Sequence, residues 1–108
     1  MPRLLVICRQ PYHLRREDAQ EWLTREFEAV LRRDDLQAAR LTRLRDPSSQ
    51  SSSTCEWLVE FRLETAASSR ALVRGAAFGE LVADLRLLGM APIVVVADDC
   101  EAVELRPS

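Results

Sequence analysis

Residues 54–63, TCEWLVEFRL, alternate more cleanly than any other part of the chain. Cys55, Trp57, Val59, Phe61 and Leu63 fall on one side, and Glu56, Leu58, Glu60 and Arg62 on the other. A period of two marks a β-strand with one face on a core. The strand is therefore expected to bury its aromatic side and to present a mixed side carrying two carboxylates and a guanidinium. Just upstream, Asp46–Ser53 (DPSSQSSS) is the one low-complexity segment. A proline followed by serines is turn chemistry without an apolar anchor, so it reads as a hairpin loop. The loop's other arm is Leu36–Arg45, with Ala39 and Leu41 on one side and Arg40 and Thr42 on the other. That imperfect alternation suits a strand at a sheet edge.

Working outward, Arg3–Arg9 (RLLVICR) is a short apolar run bounded by charges and closed by Pro11, which reads as a central strand buried on both faces and not as a signal peptide. From Arg15 to Arg33, Ala19, Trp22, Leu23, Phe27, Val30 and Leu31 recur at three- and four-residue spacing. This is a helix, with Glu17 and Asp18 at its start and Arg32 and Arg33 at its end to complement the dipole. A second helical pattern runs from Ala66 to Leu88, with Gly75 and Gly79 as candidate interruptions. Gly89 and Met90 form a helix stop, Pro92 forbids continuation, and Ile93–Ala97 is a β-branched strand expected to be buried on both faces. Val103 and Leu105 suggest a short extra strand in the tail.

Strand, helix, strand, strand, helix, strand is the order of the split βαβ. The fold class read from it is α+β: a ferredoxin-like βαββαβ unit, a four-stranded antiparallel sheet with two helices on one face. At 108 residues and 12.3 kDa the chain is one domain, residues 1–108, with its core in 1–99 and a tail in 100–108. Because the first and last strands are apolar on both sides, the sheet face away from the helices needs a cover, and a second copy of the chain is the simplest one.

The chain resembles the dimeric α+β barrel superfamily, in which two ferredoxin-like sheets pack face to face as a homodimer. The resemblance runs from RLLVICR through EDAQEWLTREFEAVL to LVADLRLLGMAPIVVVADD, and lies in element order, lengths and the helix-Gly-Met-x-Pro-strand ending. It implies a homodimer with a ligand site between the sheets. Members include cofactor-free monooxygenases, small isomerases, haem-active enzymes and proteins with no known reaction. Several of the oxygenases use an Asn beside an aromatic residue, and this chain contains no Asn.

Composition narrows the chemistry. The net charge of -2 supplies no basic face for nucleic acid. All 15 basic residues are Arg, so Schiff-base and P-loop lysine chemistry is excluded. The longest apolar run, Met90 to Ala97, is too short to cross a bilayer. Three cysteines, Cys8, Cys55 and Cys100, with no C-x-x-C spacing and a single His, support neither a disulfide framework nor a metal site, and suit a reducing cytoplasm. No motif specifies a cofactor.

His13, where the first strand gives way to the first helix, is the candidate catalytic base, set against a plain surface histidine; a partner for its ring in Asp98 is disfavoured because the first and last strands are antiparallel. Arg40, Glu56, Leu58, Glu60 and Arg62 are the candidate ligand-binding residues, a polar patch suited to a small organic or anionic ligand. The bland alternative is cross-strand ion pairing, with Arg43 opposite Glu56 in one register or Arg40 opposite Glu60 in another. Glu56 and Glu60 lie four residues apart, roughly 13 Å along a strand, which is too far for a glycosidase pair. Trp22, Trp57 and Cys8 read as core residues. The function expected is a dimeric barrel holding a small molecule between its sheets, with or without cofactor-independent catalysis. The alternative is a non-enzymatic assembly or ligand-sensing module.

Overall fold

The computed structural model describes residues 2–11, 13–45, 55–97 and 105–106. Its elements are β1 (Arg3–Arg9), α1 (Arg16–Glu26), α2 (Glu28–Leu31), β2 (Leu36–Arg45), β3 (Cys55–Leu63), α3 (Ala66–Arg74), α4 (Ala76–Leu87) and β4 (Ile93–Ala97). The four strands form one antiparallel sheet in the order β2-β3-β1-β4, the split βαβ arrangement of the ferredoxin-like fold. The 46–53 connection lies outside the described residues. So does the expected tail strand, except for Leu105, which is exposed.

Both expected helices are present, each in two pieces. The first breaks at Phe27 and ends at Leu31, short of the expected Arg33. The Thr24 hydroxyl donates to the Gln20 carbonyl at 2.8 Å, a back-bond that bends helices, and the Phe27 ring is buried against Phe61 with centroids 5.4 Å apart. The second breaks at Gly75, which is extended and forms the boundary between α3 and α4. A Cβ there would sit 3.3 Å from the Leu72 carbonyl oxygen, so the close approach, not an unusual φ, is what suits glycine. Gly79 passes inside α4 without a break. Thr65 caps α3 by accepting the Ser68 amide at 3.0 Å.

The helix stop has the expected form. Gly89, at φ 88°, donates to the Arg86 carbonyl, and Met90 donates to the Leu85 carbonyl, both at 3.0 Å. This is a Schellman closure with the fully buried Met90 packed back on the last turn. Ala91 then takes a positive φ of 44°, and β4 begins at Ile93.

One core joins the helices to a single side of the sheet. Leu4, Val6 and Cys8 of β1 and Trp57, Val59, Phe61 and Leu63 of β3 pack with Ala19, Leu23, Phe27, Leu72, Phe78, Leu81 and Leu85. Trp57 is buried, and Trp22 packs half-buried against the same cluster. The Cα framework is only 17 Å through its short axis, two layers and no third. β1 is central as expected. β4, expected to be buried on both faces, is an edge strand instead: Ile93, Val95 and Val96 are 58%, 39% and 41% exposed. An edge strand has a neighbour on one side only, and among the described residues nothing pairs with the outer edge of β4.

Candidate functional site

Register turns the open face of the sheet into a grid. Across β2, β3, β1 and β4 the first row reads Ala38, Arg62, Arg3, Ala97; the second Arg40, Glu60, Leu5, Val95; the third Thr42, Leu58, Ile7, Ile93. A last row holds Leu44, Glu56 and Arg9. The middle of the face is thus apolar, with Leu5, Ile7 and Leu58 half-buried by their neighbours, while one end is rich in guanidinium groups.

All five candidate ligand-binding residues lie on this face, but they are not one cluster. Arg40 and Glu60 are directly opposite, and Arg62 is in the adjoining row. Leu58 belongs to the apolar middle. Glu56 is at the far end, opposite Arg9 and Leu44. Arg43 stands opposite Trp57 on the helix side, so the register that would pair it with Glu56 does not occur. The Arg40–Glu60 register does occur, yet the described salt bridges do not include that pair. Arg3, at the end of β1, is a further residue of this face. Its signal was present, because alternation in RLLVICR puts Arg3, Leu5, Ile7 and Arg9 on one side, but the two arginines read as the ends of a doubly buried strand.

A depression of about 220 Å³ opens at the charged end, lined by Arg3, Ala38, Arg40, Glu60 and Arg62, with Ala39 and Phe61 completing its wall. A second cavity, about 130 Å³ and mostly apolar, lies on the helix side between α1, α2 and the edge strand β2, against Phe27, Leu31, Leu41 and Phe61.

His13 is exposed in the turn after β1, beyond Arg9, so the length of that strand, roughly 20 Å, separates it from the arginine-rich row. It lies at the same end of the sheet as Glu56, which is opposite Arg9, and away from Arg40, Glu60 and Arg62, while Asp98 lies outside the described residues. The turn is fixed from below by Gln10. Its buried amide oxygen accepts the Trp57 indole N–H at 2.8 Å, and its Nε2 donates to the Leu14 carbonyl at 2.8 Å. Cys8 is a buried free thiol whose pKa burial pushes up to about 12, leaving it protonated and poorly nucleophilic at neutral pH. Among the described residues, no group of three or more His, Cys, Asp or Glu is placed to hold a metal ion, and no helix is long and apolar enough to cross a membrane.

No family model and no curated protein matches the chain. Solved structures do. A proposed antibiotic biosynthesis monooxygenase of Deinococcus radiodurans superposes with a TM-score of 0.65 at 11% identity, covering 99% of this chain and 100% of that one. Rv0793 of Mycobacterium tuberculosis gives 0.61 at 12% identity, over 96% and 100%. A dimeric ferredoxin-like protein of unknown function from Jannaschia sp. CCS1 gives 0.57 at 15%, over 89% and 97%. At such identities the likeness is one of fold and carries no activity with it. Sheet order, helix placement and these superpositions together give the chain a ferredoxin-like fold.

Proposed function

We propose that the chain works as a homodimer, two sheets packed open face to open face, and that it binds a small organic ligand between them. One observation carries the reading: the open face has an apolar middle of Leu5, Ile7, Leu58, Ile93 and Val95, which no helix among the described residues covers. Soluble monomers rarely leave a contiguous apolar patch open to water, and a self-complementary face would close it with two-fold symmetry. The dimeric ferredoxin-like neighbour supports the same arrangement. The polar residues Arg40, Glu60 and Arg62 at one margin would give a ligand its orientation, as a few polar groups do in mostly apolar sites.

The reading is of a binding protein first. His13 stands apart from the charged row and Cys8 is protonated, so neither supplies that row with a base or a nucleophile. A reducing cytoplasm suits the free thiol of Cys8. Light scattering on a size-exclusion column at micromolar concentration tests the assembly. The expected mass is twice 12.3 kDa, falling to the single-chain value in Leu58→Glu, which puts a charge in the middle of the buried patch. A wild-type mass of one chain sinks the proposal. So does a Leu58→Glu protein that stays dimeric and equally stable, because association would then use another surface.

A further inference from the structure

We infer that the charged end of the open face is a recognition site for a small hydroxylated dianion, and that Arg3, a residue outside the five candidates, is one of its principal ligands. The inference rests on the open face being the binding face, as proposed above, but not on dimerisation, since every lining residue comes from one chain.

Arg3 and Arg62 are direct cross-strand partners, both pointing out of the open face. Like charges directly opposite on neighbouring strands destabilise a sheet, and sheets normally put an opposite charge there. Arg40 lies one row on, beside Glu60. Three guanidiniums thus surround one carboxylate, a local charge of about +2 in a chain whose net charge is -2. Among the described residues none of the four is joined in a salt bridge. The excess positive charge has no counterpart in the described protein, and a bound dianion would supply it.

Chemistry narrows the class further. Arginine presents a planar fork of N–H donors that matches the paired oxygens of a carboxylate or phosphate, so three of them suit two anionic groups or one doubly charged one. Glu60, when ionised, only accepts, so beside the arginines it favours a ligand that also offers a donor, such as a hydroxyl. About 220 Å³ falls below the roughly 300 Å³ at which drug-sized pockets begin, which favours a small occupant. A short hydroxydicarboxylate and a short phosphomonoester of a polyol both satisfy these terms.

The test titrates the full chain by calorimetry with L-malate and with glycerol 3-phosphate as the two probes, and with succinate, which lacks the hydroxyl. Saturable binding of either hydroxylated probe is expected, and the tighter one tells whether the anion is carboxylate or phosphate. Arg3→Gln and Arg62→Gln should each weaken it about tenfold or more, as loss of a charge-assisted hydrogen bond does. Because each change also removes the Arg3–Arg62 repulsion, the melting temperature should hold or rise while binding falls, an outcome that a merely structural arginine would not give. Glu60→Gln should narrow the preference for malate over succinate. Light scattering on the same samples keeps the two proposals apart. No binding by an intact dimer overturns this inference and leaves the assembly standing, whereas binding by a monomer supports it and overturns the assembly. Binding that survives both arginine substitutions also overturns it.

Discussion

The two faces of this sheet are cut from the same strands yet meet opposite fates. On the helix side, Leu4, Val6 and Cys8 of β1 and Trp57, Val59 and Phe61 of β3 are all buried, most of them almost completely. One residue along in each case, Leu5, Ile7, Leu58 and Glu60 remain half-exposed, and Arg3, Arg9, Glu56 and Arg62 are exposed. On β1 and β3 the covered face is apolar because water is kept from it and an unpaired polar group there would go unsatisfied. The open face is sorted instead, apolar in the middle and charged at the ends. That sorting is what the proposed dimer and its ligand would use.

The sharpest way to break the comparison is to truncate one residue on each side of β3. Phe61→Ala removes a ring packed on Phe27 and should cost about 3–5 kcal/mol at every protein concentration. Leu58→Ala should act differently. If the open face is covered only by a second copy, the wild-type unfolding midpoint rises with protein concentration, because association stabilises the folded form alone. Leu58→Ala should flatten that rise, and Phe61→Ala should lower the whole curve without changing its slope. Denaturation monitored at two protein concentrations a hundredfold apart reads both. A wild-type midpoint that does not move with concentration would erase the distinction between the faces.

Much of the covered face was legible in the sequence, and much of the open one was not. The alternation of Trp57, Val59 and Phe61 is a one-dimensional signal, as is the spacing of Ala19, Leu23 and Phe27, so strands, helices and their inner faces could be read directly. The helix breaks were harder. Gly75 and Gly79 look alike in the sequence, and only the 3.3 Å approach of the Leu72 carbonyl distinguishes the one that ends a helix. Cross-strand partners were hardest, because register depends on how β2 and β3 meet through their connection and a slip of one residue changes every pair. Hence two pairings, Arg43 with Glu56 and Arg40 with Glu60, stood equally until the register chose the second. Arg3 was lost for a related reason: an arginine at a strand's end reads as a boundary until a neighbouring strand puts another arginine beside it. His13 is a chemically suggestive residue that the fold sets at the Glu56 end of the sheet, a strand's length from Arg40, Glu60 and Arg62.

A smaller effect sharpens the account of the covered side. Ser69, in α3, is fully buried, and among the described residues its hydroxyl is the buried side-chain polar atom without a hydrogen-bond partner. An unmade hydrogen bond leaves the desolvation cost of the group uncompensated. Ser69→Ala should therefore stabilise the protein, by up to about 1 kcal/mol, seen as a higher denaturant midpoint with an unchanged slope. A loss of stability instead would mean that the hydroxyl is held by a partner, and that the covered side tolerates polar groups better than its composition suggests.

The smallest effect belongs to the outer surface of the helix layer, where Glu26 of α1 meets Asp84 of α4. Burial raises the Glu26 pKa above the ordinary carboxylate value, the Asp84 charge and a hydrogen bond to it raise it further, and Arg25 opposes the shift. A carboxyl whose pKa is higher folded than unfolded binds its proton more tightly in the native state. The stability that this adds is complete below the unfolded pKa, near 4.5, and is lost as pH rises through the folded value. Glu26→Gln removes the titration while keeping a hydrogen-bonding side chain of the same length. The difference in stability between wild type and Glu26→Gln should accordingly favour the wild type most at about pH 4 and shrink on the way to neutrality, where the variant no longer sets two carboxylates against each other. Partial exposure of Glu26 keeps the change small. Stability measured against pH for the two proteins checks the sign: a difference that grows with pH would mean that Glu26 is held ionised by a cation and that the helix layer, like the charged end of the open face, has its own unbalanced charge to answer.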